Sequence, residues 1–544
     1  MSNSGTEKKE IGSASGRIAG FFLKRWHILL ICAVTISAFL VRIHYLSLHT
    51  EYTADSYYFL ILARSIRDSF SYTVRGAVHT KYLPGFPILI WLFGYFTGNL
   101  EKAANLIAVV SASLCVPLTY LIGKELFTKA AGISACVVLA FMPTFLRWTC
   151  LPMTEGLFTF LFLASTYLVL TGMKRASPWR RLIGSLLGGI AFLTRWEGAL
   201  FLPVALLIIV LYFKEGEIPW WEPVVMLALF GFPIFIYVTR NLIAAGSITA
   251  YTKEYEQHKE ISFAILRHRF KVYAFQGFLS APLQALMYTG AFLALLKKKW
   301  KPFFTLALYF SCFVFFHMLW YYTYERFMAP ASPVGALFIG YLLAESYFFI
   351  RGRKGENWNC REENFQAPEG HWRSLRRSLA VFVVVLAISL ILAHSLARAN
   401  RLIRENYLAF ADDHGGAGMV DAAKWFSRNA PGETVAVDAG PYFCWLHEGD
   451  VLYLRPVPWD LPVEDRDVDA PNIVRNLYER GVRYLVVGQT DQGLEAELET
   501  LSITPAERKS LKEIARWTHE YSYPDEHQIV TVIYRVLSPE GKMD

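Results

Sequence analysis

Residues 51–66 read EYTADSYYFLILARSI and follow directly on the first membrane-length apolar stretch, which ends near Tyr45. Asp55 therefore stands at the membrane surface, followed by aromatic residues and an amphipathic run. A carboxylate in that position marks a place where polar chemistry meets lipid, and it points to a membrane-embedded enzyme.

The rest of the composition agrees with this reading. Of the 544 residues, 54% are hydrophobic, and they gather in blocks of roughly 17 to 23, the length that spans a bilayer. The net charge of +8 would suggest an anionic partner in a soluble protein. Here much of the excess lies in short loops between apolar blocks, where cytoplasmic loops carry it, so nucleic-acid binding is not expected. The seven cysteines, Cys32, Cys115, Cys136, Cys150, Cys312, Cys360 and Cys444, show no metal-knuckle or redox spacing.

Roughly eleven spans are expected on length and apolarity. They fall near 27–47, 102–123, 130–147, 155–173, 182–195, 198–213, 223–241, 278–296, 302–320, 328–350 and 379–397. Residues 1–26, with Lys8, Lys9, Arg17, Lys24 and Arg25, read as a cytoplasmic terminus before a retained signal anchor. Basic loops then alternate in side: Lys174, Arg175, Arg180 and Arg181; Lys297, Lys298, Lys299 and Lys301; and the polar cytoplasmic linker 351–378. This topology puts loops 48–101 and 242–277 and the tail 398–544 outside. The stretch FPILIWLFGYF at 86–96 is too short to cross and suits a helix lying in the interface. The first long loop thus reads as two interfacial helices, about 55–69 and 84–97, joined by a turn-rich linker. The second carries Lys253, Lys259, Arg267, Arg269 and Lys271 with Glu254, Glu256 and Glu260, against the usual charge bias of an outside loop.

After Arg398 the composition becomes soluble. AAKWFSRN reads as helix, VAVDAG and VLYL as strands, NIVRNLYERG as helix, RYLVVG as strand, then two charged helical stretches and a last strand, QIVTVIYRVL. Alternating strands and helices imply a small α/β domain. The expected fold is therefore mainly α: a polytopic membrane module, 27–350, a last span at 379–397 and a C-terminal extracytoplasmic α/β domain.

Several residues carry candidate chemistry. Asp55, ionised at neutral pH, can accept a proton from an attacking hydroxyl; an N-cap is the alternative. Lys81, in the turn-fixing HTKYLPGFP, can meet a phosphate at headgroup depth or simply snorkel. Glu155 starts a span near the same face, placed to orient an acceptor or to complement the helix dipole. Arg147 brackets the same outer turn. Arg195 and Arg326 each interrupt an apolar region beside an acid, Glu197 or Glu325. A mid-span arginine costs about 2.5 to 3.5 kcal/mol, less toward the ends, so each needs a compensating role. It would either neutralise a departing phosphate or form an internal ion pair. His268 and the other histidines lack ligand spacing, and loop 48–101 has no DxD pair, so neither metal nor cofactor is expected.

Taken in order, Arg42 at the end of the first span, ADSYYFLILARSI, KYLPGFP, RWTCLPMTEGLF, GGIAFLTRWEGALFLP, YERFMAPASP and the tail pieces AAKWFSRNAPG and GVRYLVVG resemble the GT-C superfamily of membrane glycosyltransferases. The likeness is to the protein O-mannosyltransferase and lipid A aminoarabinose transferase group. It implies a GT-C fold, a polyprenyl phosphate sugar as donor, and Asp55 as the catalytic carboxylate of the first external loop. Where the family often has an Asp-Glu pair, this chain has Ser56 in the second place, and Glu155 or Glu197 is the candidate substitute. Only Lys81 and Pro84 keep the character of the family's Lys-Pro-Pro region. PWWEP at 219–223 is a poor counterpart of the oligosaccharyltransferase WWDYG motif, and on the cytoplasmic side. The resemblance thus implies a glycosyltransferase moving one sugar to an acceptor hydroxyl, on protein, glycolipid or glycan, at the extracytoplasmic face, with inversion. Arg42, Tyr58, Lys81, Glu155, Arg195, Glu197, Arg267, Arg269, Glu325 and Arg326 would form the substrate-binding set. A transporter or flippase of a lipid-linked sugar is the alternative, though neither internal repeats nor broken midplane helices are read in the sequence.

Overall fold

The computed structural model describes residues 5–48, 52–74, 76–216, 218–250, 262–276, 279–320, 323–351, 371–409, 416–437, 442–454, 472–488, 494–521 and 527–538. Lys253, Glu254, Glu256, Lys259 and Glu260, Cys360 and most of the linker 351–378 lie outside them. The expected spans fall on helices, 130–147 on two of them and 182–195 running past its helix end at Phe192. Eight are long and apolar enough to cross a bilayer, and a ninth forms if Lys129–Ala140 and Pro143–Thr149, bent by 55°, are one span. The helices Pro178–Phe192 and Ala281–Leu296 have 15 and 16 residues, below the about 20 needed for a 30 Å hydrocarbon layer. The chain is a multi-pass membrane protein.

The bend at Pro143 has a local cause, since proline has no N–H to continue the preceding helix. Arg42 is packed against this break: its side chain donates to Ala38 O (3.0 Å), Thr149 Oγ1 (3.1 Å) and Ala140 O (3.4 Å). At one end of the bundle the helix termini are stapled by charge pairs. Arg181 with Glu222 is wholly buried, and Lys174 and Arg175 share Glu125. Lys297 with Glu345 (2.9 Å) and Lys301 with Glu215 (2.6 Å) lie nearer water.

The other end carries the segment between the first two spans. It holds the helices Ala54–Ser69 and Gly85–Thr97, as expected for the first long loop, with a two-stranded hairpin, β1 (Thr73–Val74) and β2 (Ala77–Val78), between them. Gly85 lets this segment close on the bundle. Its N–H donates to Leu193 O at 2.7 Å, and a Cβ there would also meet that oxygen at 2.7 Å, so only glycine allows the approach.

The tail builds a five-stranded sheet in the order β4 (Val451–Tyr453), β3 (Val435–Val437), β5 (Tyr484–Gly488), β7 (His527–Val536), β6 (Leu511–Tyr521). β3 is parallel to β4 and β5, and β7 is antiparallel to β5 and β6. The structure corrects one expectation in this domain. The second charged stretch, read as helical, is strand β6. Its charges suit an edge strand, whose outer rim faces water, and its long ladder with β7 outweighs the helix propensity of a Lys-Glu-Ala-Arg composition.

Candidate active site

Asp55 sits near the start of the helix Ala54–Ser69, and Thr53 is that helix's cap: its Oγ1 accepts the Ser56 N–H at 3.2 Å. With the cap filled by Thr53, the Asp55 carboxylate is not needed for capping. Ser56 is spent on the cap, its hydroxyl 2.9 Å from Thr53 Oγ1. Asp55 instead accepts two hydrogen bonds, from Tyr82 Oη to Oδ1 and from Arg326 Nη2 to Oδ2, both at 2.6 Å. Burial pushes this carboxyl up, but the Arg326 charge, the Tyr82 phenol and the Lys81 charge outweigh it and hold it below the ordinary carboxylate value. It is an ionised acceptor with about one-fifth of its side chain exposed, matched by Arg326 at 21%.

Tyr82 is held from several sides. Its N–H donates to His79 Nε2 at 3.0 Å, and its carbonyl accepts from Tyr72 Oη at 3.0 Å. The helix Glu222–Ala245 clamps the same loop: Arg240 donates to His79 O (2.8 Å) and Tyr72 O (3.0 Å), and Tyr237 to Thr80 O (3.0 Å). His79 stacks on Tyr82 with ring centroids 5.4 Å apart, and burial, with Lys81 and Arg240 nearby, lowers it to about 3. It therefore stays neutral and works as a brace. Tyr58 packs on Tyr82 at 5.3 Å, and the buried Lys81 ammonium lies 5.6 Å from the centre of the Tyr82 ring.

Beside this lies a second cluster around Arg195. The guanidinium donates to Glu155 Oε1 and Glu197 Oε1, both at 2.6 Å, and to Thr154 Oγ1 at 3.2 Å. Glu155 is fully buried and its Oε2 has no partner among the described residues. His317 Nε2 lies 3.5 Å from Glu197 Oε1. Arg326 interacts electrostatically with both Asp55 and Glu155, which makes the two clusters electrostatic neighbours.

Adjacency in sequence chose one partner and missed the other. Arg195 takes Glu197, but Arg326 takes Asp55 rather than Glu325, whose carboxylate lies 3.5 Å from Arg147. Consecutive residues of a helical turn point in different directions, so Glu325 and Arg326 diverge. The other expected residues lie apart in their contacts. Arg42 is enclosed at the helix break, Arg269 is buried and donates to Met318 O at 3.3 Å, and Arg267 is exposed. Tyr82, Arg240 and His317 were not singled out from sequence. Tyr82 adjoins Lys81, and that adjacency was the only available signal. Among the described residues no group of three or more His, Cys, Asp or Glu could hold a metal ion.

As chemistry, the site offers an ionised carboxylate able to take a proton, with Lys81 and Arg326 beside it able to neutralise an anion. Arg326 Nε also lacks a partner among the described residues.

Residues 79–241 match the family described as dolichyl-phosphate-mannose-protein mannosyltransferase. That stretch carries Lys81, Tyr82, Glu155, Arg195, Glu197 and Arg240, and leaves Asp55 and Arg326 outside. No curated protein matches the sequence significantly. Among solved structures, ArnT from Cupriavidus metallidurans in the apo state is similar with a TM-score of 0.59 at 15% identity, over 94% of this chain and 98% of that one. The same protein bound to undecaprenyl phosphate gives 0.57 at 13% identity, over 93% and 98%. The archaeal oligosaccharyltransferase AglB from Archaeoglobus fulgidus, in complex with an inhibitory peptide and a dolichol-phosphate, gives 0.57 at 14% identity, over 92% and 74%. At these identities the likeness establishes the GT-C fold.

Proposed function

We propose that this chain, a GT-C membrane glycosyltransferase of the dolichyl-phosphate-mannose-protein mannosyltransferase type drawing on a polyprenyl phosphate sugar, moves a single sugar to an acceptor hydroxyl in one inverting displacement. The observation that carries this reading is the Asp55 carboxylate, ionised and held by Tyr82 and Arg326 at 2.6 Å each. As the acceptor oxygen bonds to the anomeric carbon, the bond from that carbon to the phosphate oxygen breaks. Its electron pair leaves as polyprenyl phosphate, and the acceptor's proton passes to Asp55. A carboxylate held below its ordinary value is a weak base toward a resting alcohol. It suffices here because the hydroxyl becomes strongly acidic only as it bonds to an electron-poor anomeric carbon.

Arg326, in contact with Asp55, and Lys81, whose charge acts on it, would neutralise the departing phosphate, Arg326 through its Nε, which has no partner among the described residues. Drawing Arg326 toward the phosphate would also release one oxygen of Asp55 for the acceptor. The Arg195 cluster supplies Glu155, whose buried Oε2 is available to a donor hydroxyl. Placing the site on the extracytoplasmic face follows from the alternation of basic loops, and the tail is proposed to cap the site and select acceptors. The test is purified protein in bilayers with a panel of polyprenyl phosphate sugars and membrane extract as acceptor, free polyprenyl phosphate being followed by mass spectrometry. Sugar-dependent release lost in Asp55→Asn supports transfer. Movement of the intact donor across the bilayer, without release, would instead identify a flippase.

A further inference from the structure

The tail touches the membrane module on the helix that carries the carboxylate. The helix Ala54–Ser69, which carries Asp55, also carries Arg64, nine residues on and about 13 Å along the axis. The Arg64 guanidinium lies 3.8 Å from the centre of the Trp445 ring and donates to Trp445 O (3.0 Å) and Cys444 O (3.3 Å). Trp445 in turn donates its Nε1–H to Glu101 Oε1 at 2.6 Å. One indole thus engages two elements of the membrane module, by a cation–π stack and a charge-assisted hydrogen bond. Its own segment, Tyr442–Leu446, is anchored in the tail: Phe443 packs on Phe426 with ring centroids 5.8 Å apart, and His447 Nε2 lies 2.7 Å from Glu433 O.

The far side of this contact is the wall of the site. Cys444 and Trp445 pack against a buried cluster of Tyr58, Ile61, Leu62 and Val74, which Tyr82 also joins. Tyr82 is the residue whose phenol holds Asp55. A solvent-exposed domain that merely rode on the membrane module would have no need to pack a tryptophan here.

We propose that Trp445 is a positioning residue: through the Arg64–Trp445–Glu101 contact the tail domain sets the Tyr58–Tyr82 wall and so fixes the orientation of the Asp55 carboxylate. The inference rests on the proposed transferase reading, in which Asp55 takes the acceptor proton. It makes the tail part of the catalytic geometry in addition to any role in choosing acceptors.

The experiment uses the full chain in lipid nanodiscs, with Trp445→Ala, Trp445→Phe and Arg64→Gln beside the wild type. Two readouts are taken: maleimide labelling of Cys444, followed at the peptide level, and the kinetics of polyprenyl phosphate release. Trp445→Ala and Arg64→Gln should label Cys444 faster and lower kcat by roughly tenfold with the donor KM unchanged, as loss of orientation without loss of binding demands. Trp445→Phe, which keeps the ring over Arg64, should recover most of kcat. Unchanged labelling, or faster labelling with unchanged kcat, overturns the proposal. Should Trp445→Ala fail to fold, Arg64→Gln decides the same question. Should the wild type release no polyprenyl phosphate, the transferase reading fails. Hydrogen exchange over residues 54–69 then decides whether the contact orders the Asp55 helix: it must rise in Arg64→Gln, and unchanged exchange overturns that too.

Discussion

Replacing Asp55 by asparagine removes the proposed proton acceptor and keeps the shape. General-base assistance is worth about 10²- to 10⁴-fold, or about 3–5 kcal/mol of barrier, and turnover should fall by that amount. The fold should feel much less. Arg326 loses its anionic partner, and the two side chains are each 21% exposed, so the cost lies between the near-zero value of a surface pair and the penalty for breaking a buried one, about 1–2 kcal/mol. The two losses separate in a double variant. Adding Arg326→Gln removes the orphaned cation, so stability should recover toward the wild type while turnover stays low. The assay is polyprenyl phosphate release in proteoliposomes, with unfolding midpoints measured on the same preparations. Near-full turnover by folded Asp55→Asn would refute the reasoning by showing that the carboxylate is not the base, and recovery of turnover in the double variant would refute it by showing that Asp55 serves only to neutralise Arg326.

The pH dependence follows from the same contacts. Asp55 is held below its ordinary carboxylate value, so its ionised form and the stability of the pair persist above the unfolded value and are lost only as pH falls through the lower folded one. The acid limb of kcat/KM should accordingly lie below pH 3.8, the ordinary value. In Arg326→Gln burial is opposed by Tyr82 and Lys81 alone, and the limb should move up; an unmoved limb in rate-versus-pH measurements would contradict this. Arg195→Gln leaves Glu155 and Glu197, 0% and 7% exposed, without their main counter-charge and should cost about 3–5 kcal/mol in denaturant unfolding. A loss under about 1 kcal/mol would show that the two acids are held otherwise. A cysteine placed near residue 450 should react with an impermeant thiol reagent in intact cells, and reaction only after lysis would reverse the proposed orientation.

How much could be read in advance depended on whether the signal was local. Most of the long helices were legible because they are runs of apolar residues of about bilayer length, and the 13-residue helix Gly85–Thr97 because it is a shorter apolar run set off by Pro84 and Gly98. Strand β6 was not, since its charged composition suits a helix and only pairing with β7 makes it a strand. At the site, Asp55, Lys81, Glu155 and Arg195 could be named from their unusual positions, but not their partners. Nothing local marks Tyr82 as the partner of a residue 27 positions away, or Arg326 of one 271 away. Thr53 shows the reverse case: it stands two residues before Asp55 with the chemistry of a cap, and taking it as the cap frees Asp55 for another role.

Those long separations bear on how the site is made. The stretch 79–241 that matches the mannosyltransferase family contributes Lys81, Tyr82 and the Arg195 cluster. The carboxylate comes from before it and its guanidinium partner from well after it, so the matched stretch alone does not hold the site. Asp55 reaches Tyr82 only because Gly85 lets the loop close on Leu193 and Arg240 clamps its other side. Arg326 reaches Asp55 only when the helix Ser332–Ile350 has packed against Leu100–Leu126 and Lys129–Ala140. The cost of holding an ionised carboxylate between a phenol and a guanidinium is thus met by packing throughout the helical module, before any substrate arrives. In the proposed mechanism such preorganisation is what allows a weak base to act on a fleeting acid. It also explains why small changes at helix contacts remote from Asp55 are expected to reduce turnover more than binding.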